Sequence, residues 1–132
     1  MNAIARAFLN RWLGDRGERE ASRFLRSKGF RILQRGYRTA RGEIDLIARD
    51  GDTLVFVEVK SRRAGVPAEA VTLEKQRRLT LAALAFLKKY RLLEQRCRFD
   101  VVAIVWPDGR HAPAIDHIAN AFEAVGNGQF FR

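Results

Sequence analysis

The 132-residue chain holds one cysteine, Cys97. A lone thiol excludes an internal disulfide and a multi-cysteine zinc knuckle. The two histidines, His111 and His117, follow no ligand spacing, so zinc is not expected. Long apolar runs are also missing. The longest near a helix, LTLAALAFL at 79–87, falls far short of the ~20 residues that cross a bilayer, and no membrane partner is expected. The first stretch, MNAIARAFLNRWLGDR, has scattered arginines and no apolar centre, so it is read as an amphipathic helix rather than a secretory or transit signal. Cytoplasm is the expected compartment. Only 3 prolines and 10 glycines punctuate the chain, with no repeat, low-complexity block or linker. With 47% hydrophobic residues, this is the composition of one globular domain. The expected boundaries are 1–122 for the domain and 123–132 for a mobile tail.

Acidic residues are scarce beside basic ones: 15 Asp and Glu against 25 Lys and Arg, a net charge of +10. An excess of this size favours an anionic partner, most simply nucleic acid. The acids are also unevenly placed. Residues 1–42 carry a net +8 and residues 61–98 a net +7, whereas the intervening 43–60 are net −3.

Apolar spacing predicts helices at 3–13 and 15–28, with Gly14 and Gly17 breaking or kinking the path between them. Ile4, Phe8 and Trp12 share a face of the first; Ala21, Phe24 and Leu25 form the stripe of the second. Strands are expected at 30–38, on both sides of Asp50-Gly51, and at 98–106. A long helix is expected over 71–90, with 63–70 as a loop before it. Residues 114–118 read as a short strand, followed by a helical turn in NAFEAV. The order α-βββ-α-β-(β) is that of an α/β protein with a mixed central sheet flanked by helices.

The acidic island is GEIDLIARDGDTLVFVEVKSRR, residues 42–63. Asp-Gly between alternating apolar residues signals a hairpin. Centring the turn on Asp50-Gly51 sets Asp45 opposite Phe56 and Glu43 opposite Glu58, with Asp45 and Glu58 as diagonal neighbours. Glu43, Asp45, Phe56, Glu58 and Lys60 then share one face; Ile44, Leu46, Val55, Val57 and Val59 share the other. Crowded carboxylates on a half-buried face need a positive partner. Either Lys60 and nearby arginines supply it, as ion pairs at a sheet edge, or a divalent cation does. An all-oxygen site with one or two carboxylates suits Mg²⁺ or Mn²⁺. Glu18 lies three and seven residues before Ala21 and Leu25, on or beside a core-facing stripe. It either reaches the open end of the sheet or stabilises its own helix dipole. Lys75, one turn before Leu79, is directed to the same end. With Arg62, Arg63 and Arg78 it is a candidate to hold a phosphate backbone; the alternative is a solvated helix face.

Asp45…Glu58-Val59-Lys60 resembles the PD-(D/E)xK nuclease signature, with Ile44 standing where the name motif has proline. The wider pattern of GDRGEREASRFL, GFRILQRGYR, GEIDLIARDGDTLVFVEVKSR, the Lys75/Arg78 helix and RFDVVAI resembles the YraN-like family of uncharacterised bacterial proteins, from about residue 14 to about 122. The resemblance implies a restriction-endonuclease-like three-layer sandwich related to archaeal Holliday-junction resolvases. It also implies metal ligation by Asp45 and Glu58, joined by Glu18 and the Val59 backbone carbonyl. Asp45, Glu58 and Lys60 would be the catalytic residues, with Lys60 orienting or activating the attacking water. Glu43 is expected as an outer acid or a simple edge residue.

Two functions follow. One is a Mg²⁺- or Mn²⁺-dependent nuclease acting on DNA, branched or structured DNA included. The other is a module that keeps the nuclease fold and binds nucleic acid or ribonucleoprotein without turnover. No recognition-helix pattern is present, so contacts to the backbone and to shape are expected to dominate. A homodimer would suit a symmetric junction. Phe130-Phe131 and the apolar N-terminal helix are the features that a protein partner or second copy would use.

Overall fold

The computed structural model describes residues 2–109 and 111–126, with the backbone alone for 6–13. Its elements run α1 (Ala3–Ser27), β1 (Arg31–Arg38), β2 (Glu43–Asp50), β3 (Thr53–Arg63), α2 (Leu73–Lys89), β4 (Cys97–Trp106) and β5 (Ala114–Phe122). The five strands form one sheet in the order β1-β2-β3-β4-β5. All neighbours are antiparallel except β3 and β4, which the α2 crossover makes parallel. This is the expected mixed-sheet α/β architecture, with a helix on each face.

The two faces have separate cores. Ala21 and Leu25 of α1 pack with Leu46, Ala48, Val55, Val57, Val102 and Ile104. Leu79, Ala83, Phe86 and Leu87 of α2 pack with Tyr37, Ile44, Leu54, Phe56 and Phe99 on the opposite face. Central strands covered on both sides must be apolar at every position, which is why LVFV and DVVAIVW read as near-continuous hydrophobic runs. Each fully buried Leu, Ile or Phe contributes roughly 1.5–3 kcal/mol. Aromatic edges knit the α2 side: Phe86 meets Tyr37 and Phe56 with ring centroids 5.3 and 5.9 Å apart.

Several expectations need correction. α1 is one continuous helix through Gly14 and Gly17. Gly17 is there for proximity, not to break the helix: a Cβ on it would collide with the Ser61 hydroxyl and touch Val59, so glycine lets α1 lie directly on β3. The shared face expected for Phe8 and Trp12 concerns side chains outside the described residues, as does Phe130-Phe131. NAFEAV is not a helical turn. β5 runs on to Phe122, with Asn120 in a left-handed conformation (φ 51°) where the pairing with β4 shifts. Beyond it, Val125 N–H donates to Thr80 Oγ1 at 3.0 Å, so the chain is still tied to α2 there. α2 starts at Leu73 because the Thr72 side chain caps it, accepting from Lys75 N–H at 3.1 Å, an interaction worth about 1 kcal/mol.

Away from the hairpin, the carboxylate of Asp100 is fully buried and takes four hydrogen bonds. Arg98 Nε and Nη2 donate at 2.9 and 3.2 Å, Asn120 N–H at 2.9 Å and His117 Nε2 at 2.8 Å. Lys28 Nζ donates to the other ring nitrogen of His117 at 2.8 Å, which fixes the Nε2–H tautomer of the neutral ring. This hub ties the C-terminal end of α1 to β4 and β5. Asp100→Ala strands those donors and is expected to lower the unfolding free energy by about 3 kcal/mol or more in a urea titration. Asp116→Ala, exposed on β5, should change it by less than about 0.5 kcal/mol.

Candidate functional site

The hairpin turns one position later than Asp50-Gly51. Asp50 pairs with Thr53, so Gly51 and Asp52 are the two loop residues, and Gly51 takes the positive φ (58°) that such a turn requires. The shift moves both strands together and leaves most faces unchanged. It does alter who faces whom: the register that pairs Leu46 with Val57 and Ile47 with Phe56 would next set Asp45 against Glu58, no longer against Phe56.

That next pair does not form. The β2–β3 ladder ends at Leu46–Val57, and Asp45 Oδ2 accepts the Val59 N–H at 2.8 Å. In a continued ladder this N–H would bond to the main chain of Ile44. Ile44 has instead turned into the α2-side core opposite Tyr37, two residues from Leu46 in the α1-side core. The expected grouping of Ile44 with Leu46 is therefore wrong: alternation breaks where β2 leaves β3. The two strands fork, and the side chain of Asp45 does the work of the lost main-chain acceptor. In a strand, N–H and C=O of one residue point to the same side, so the Val59 carbonyl also opens toward the fork.

Glu58 stands beside Asp45 in the fork, 5% exposed. Its Oε1 is 3.6 Å from Lys75 Nζ, while its buried Oε2 meets no donor, so a proton shared with the Asp45 carboxyl is what the chain itself can offer it. Glu18 approaches from α1, and Lys60 follows on β3. Together with Gly14, Ser61 and Glu69 these residues line a cleft of about 360 Å³. Among the described residues no three His, Cys, Asp or Glu side chains converge as a ready metal cage. What the fork could offer a cation is two adjacent carboxylates and a main-chain carbonyl, a small donor set suited to an ion that keeps several waters.

The acids are held against their preference. Burial pushes Glu58 up to about 7, the neighbouring Asp45 charge adds to this, and Lys75 and Lys60 oppose it. Asp45 is raised by burial, while the Val59 N–H pulls the other way. Glu18 is also pushed to about 7, by burial first and then by Asp45, Asp15 and Glu43. The alternative of a helix-terminal Glu fails for Glu18, since it sits well inside α1 and senses the sheet acids.

The basic residues do not form one patch. Lys75 sits at Glu58, nearer the acids than a backbone-holding role requires. Arg78 pairs with Glu74 at 2.8 Å and lines a second cleft, of about 710 Å³, with Lys75, Arg38, Arg41 and Glu43. Glu43 is an exposed rim residue, 3.4 Å from Arg38 Nε. Arg62 and Arg63 lie on the other side of the fork, and Arg62 Nη1 donates to Val66 O at 2.6 Å, holding the loop after β3. Sequence reasoning missed Arg38 and Arg41. Their signal was the turn itself: Thr39 Oγ1 accepts from the N–H groups of Arg41 and Gly42, and Gly42 lies so close to the Arg78 carbonyl that a Cβ would stand 2.6 Å from it.

The model of the family described as "Uncharacterised protein family UPF0102" matches residues 17–104. The chain belongs to this family, the YraN-like family that its motifs resemble. The match takes in Glu18, Asp45, Glu58, Lys60 and Lys75. Similar UPF0102 proteins come from Geobacter sulfurreducens, 51% identical over 86% of this chain and 91% of the relative, and from Chlorobium phaeobacteroides, 48% identical over 88% and 98%. A UPF0102 protein of Rhodococcus opacus is 50% identical over 83% and 95%. No helix among the described residues is long and apolar enough to cross a membrane.

The UPF0102 fork has a pH signature. Glu18 and Glu58 bind protons more tightly folded than unfolded. Stability should therefore fall as pH rises from about 4.5 to about 7 and then level off. Glu58→Gln is expected to raise the melting temperature at pH 8 and to flatten the decline, as read by thermal denaturation across pH.

Proposed function

We propose that this protein is a metal-dependent phosphodiester hydrolase acting on nucleic acid, DNA in particular. The observation that carries the reading is the buried Asp45–Glu58 carboxyl pair, in which Glu58 Oε2 meets no donor other than a proton shared with Asp45. An unpartnered carboxylate oxygen in a low-dielectric fork is costly, and a divalent cation is the partner that would offset the cost. Asp45 and Glu58 would hold Mg²⁺ or Mn²⁺, with the Val59 carbonyl as a third donor. When bound, such an ion supplies a more acidic water and neutralises charge on the reacting phosphate.

The chain's own groups divide the remaining work. Asp45 is fixed by the Val59 N–H, so one oxygen is oriented and the other left to coordinate. Lys60 projects into the same cleft and is suited to orient the attacking water or to hold a non-bridging phosphate oxygen. Lys75 favours the ionised form of Glu58, against the burial that favours the protonated one. Glu18, with its pKa near 7, can take the proton shed by the water at neutral pH, or ligate through water. Arg38, Arg41 and Arg78 line the neighbouring cleft, where they are available to phosphates of the bound strand and would give affinity rather than sequence choice.

A second reading has its own support. Asp45 already has a structural task at Val59, and no three-acid cage exists among the described residues. Both facts suit a module that binds nucleic acid without cutting it.

One panel tests both. The protein is incubated with branched, flapped, single-stranded and duplex DNA plus Mg²⁺ or Mn²⁺. Cleavage that falls at least about a hundredfold in Glu58→Gln and Lys60→Ala is the expected result. Binding that is salt-sensitive yet indifferent to metal, with no cleavage of any substrate, supports the second reading. Calorimetric titration with Mn²⁺ should show binding to the wild type at pH 8, weaker binding at pH 5 and none to Asp45→Ala, because the same carboxylates must be ionised.

A further inference from the structure

A second cavity adjoins the fork. It measures about 580 Å³, within the roughly 300–1,000 Å³ range of small-molecule pockets, and shares Lys60, Ser61 and Glu69 with the carboxylate cleft. Its origin is plain from the layering. α2 covers the α2-side face near the hairpin end of the strands and stops. The face continues past it, and Val101 and Ala103 of β4 with Ile118 and Ala121 of β5 form a floor that no other element among the described residues covers. The loop after β3 makes the opposite wall with Val66 and Val71. That wall is held in place: Arg62 Nη1 bonds to Val66 O, Val66 N–H to Arg63 O at 3.1 Å, and Ala64 N–H to Trp106 O at 2.8 Å.

The lining is mixed in a specific way. Val66 and Ile118 remain 49% and 40% exposed, so apolar surface is left to water. The alanines at 103 and 121 keep the floor low, where larger side chains would fill it. Lys60, Arg62 and Arg63 bring cations to it, and Glu69 is the only acid of its lining among the described residues. A flat, apolar-faced group carrying exocyclic amines and attached to phosphates matches this set. Its faces would lie on the aliphatic floor, its amine would meet Glu69, and its phosphate would fall toward Lys60 and the fork.

We propose that this pocket receives an unpaired nucleobase of the DNA strand whose phosphate lies at the Asp45–Glu58 fork. The inference rests on the function proposed above and narrows it. A base within an intact duplex cannot enter a side pocket without leaving its stack, which disfavours fully paired DNA and favours overhangs, flaps and frayed junctions.

The test is a fluorescence titration without metal, so that cutting plays no part. The probes are a hairpin duplex with an overhang bearing 2-aminopurine, the same duplex with an abasic sugar at that position and its fluorophore elsewhere, and a fully paired form. The wild type should bind the overhang base at least about tenfold more tightly than the abasic or paired probe. Ala103→Phe and Ile118→Asp should erase that preference while leaving affinity for the abasic probe unchanged. Ile118 is exposed, so its variant keeps the test standing should Ala103→Phe disturb folding. Equal affinity for base and abasic probes, or a preference that survives both variants, overturns the pocket assignment and leaves the hydrolase reading intact. So does Ile118→Asp converting a dimer to a monomer in sedimentation, since a second copy would then be the occupant. Failure of the wild type to bind any probe, both without metal and with Mn²⁺ on non-hydrolysable phosphorothioate forms of the same probes, instead removes the nucleic-acid reading, and the pocket assignment with it.

Discussion

The hydrogen bond from Val59 N–H to Asp45 is the contact on which the site depends. Sheets close their ladders because an unpaired main-chain donor in the interior is expensive, of the order of 1–3 kcal/mol. Here β2 abandons β3 after Val57, six residues before β3 ends at Arg63, and a side chain replaces the lost acceptor. The exchange has two consequences. It lets Ile44 rotate into the α2-side core, and it fixes a carboxylate at a point where the strands are no longer clasped. A regular hairpin of the same composition would have set Asp45 and Glu58 as a repelling cross-strand pair with no opening beside them.

Around the fork, ordinary stabilising devices serve to position awkward charges. Glycine at 17 lets α1 touch β3, and this closeness brings Glu18 over the fork. The Thr72 cap begins α2 so that Lys75, in its first turn, reaches Glu58. Neither contact makes the acids comfortable: all three carboxyl groups are raised from their ordinary values, mainly by burial. Stability is spent at one end of the sheet, while the four-fold satisfied Asp100 hub and the aromatic packing under α2 hold the other parts. Strain concentrated in one cleft of an otherwise consistent structure is the usual mark of a functional site.

Much of this was legible in the chain. The run LVFVEVK names a strand buried on both faces that turns polar at its end. The period-3.6 pattern of 73–89 names α2, and the 43–60 acidic island lies between basic stretches. The order of elements follows from such local signals. The failures were local too. Propensity alone reads the glycines at 14 and 17 as breaks, whereas at Gly17 a packed surface overrides a cost of about 1 kcal/mol and the helix runs through Gly14 as well. NAFEAV has helical composition, yet pairing with β4 claims its first three residues as strand and the rest is not helical. Asp-Gly named the hairpin but not its corner residues, because Gly51 can serve either position of a two-residue turn. Arg38 and Arg41, at the end of β1 and in the turn after it, carry no periodic signal that would single them out.

The sequence by itself determined the layers, the strand count and the identity of the acids and the lysine that meet, because alternation and helical period depend only on near neighbours. Tertiary structure decided where β2 parts from β3, that Lys75 belongs to Glu58 rather than to an outer basic strip, and that the arginines divide between two sides of the fork. It also decided that a pocket stays open beside Lys60 on one sheet face among the described residues. These outcomes turn on which main-chain groups find partners and which surfaces are covered, and both are set by elements distant in the chain.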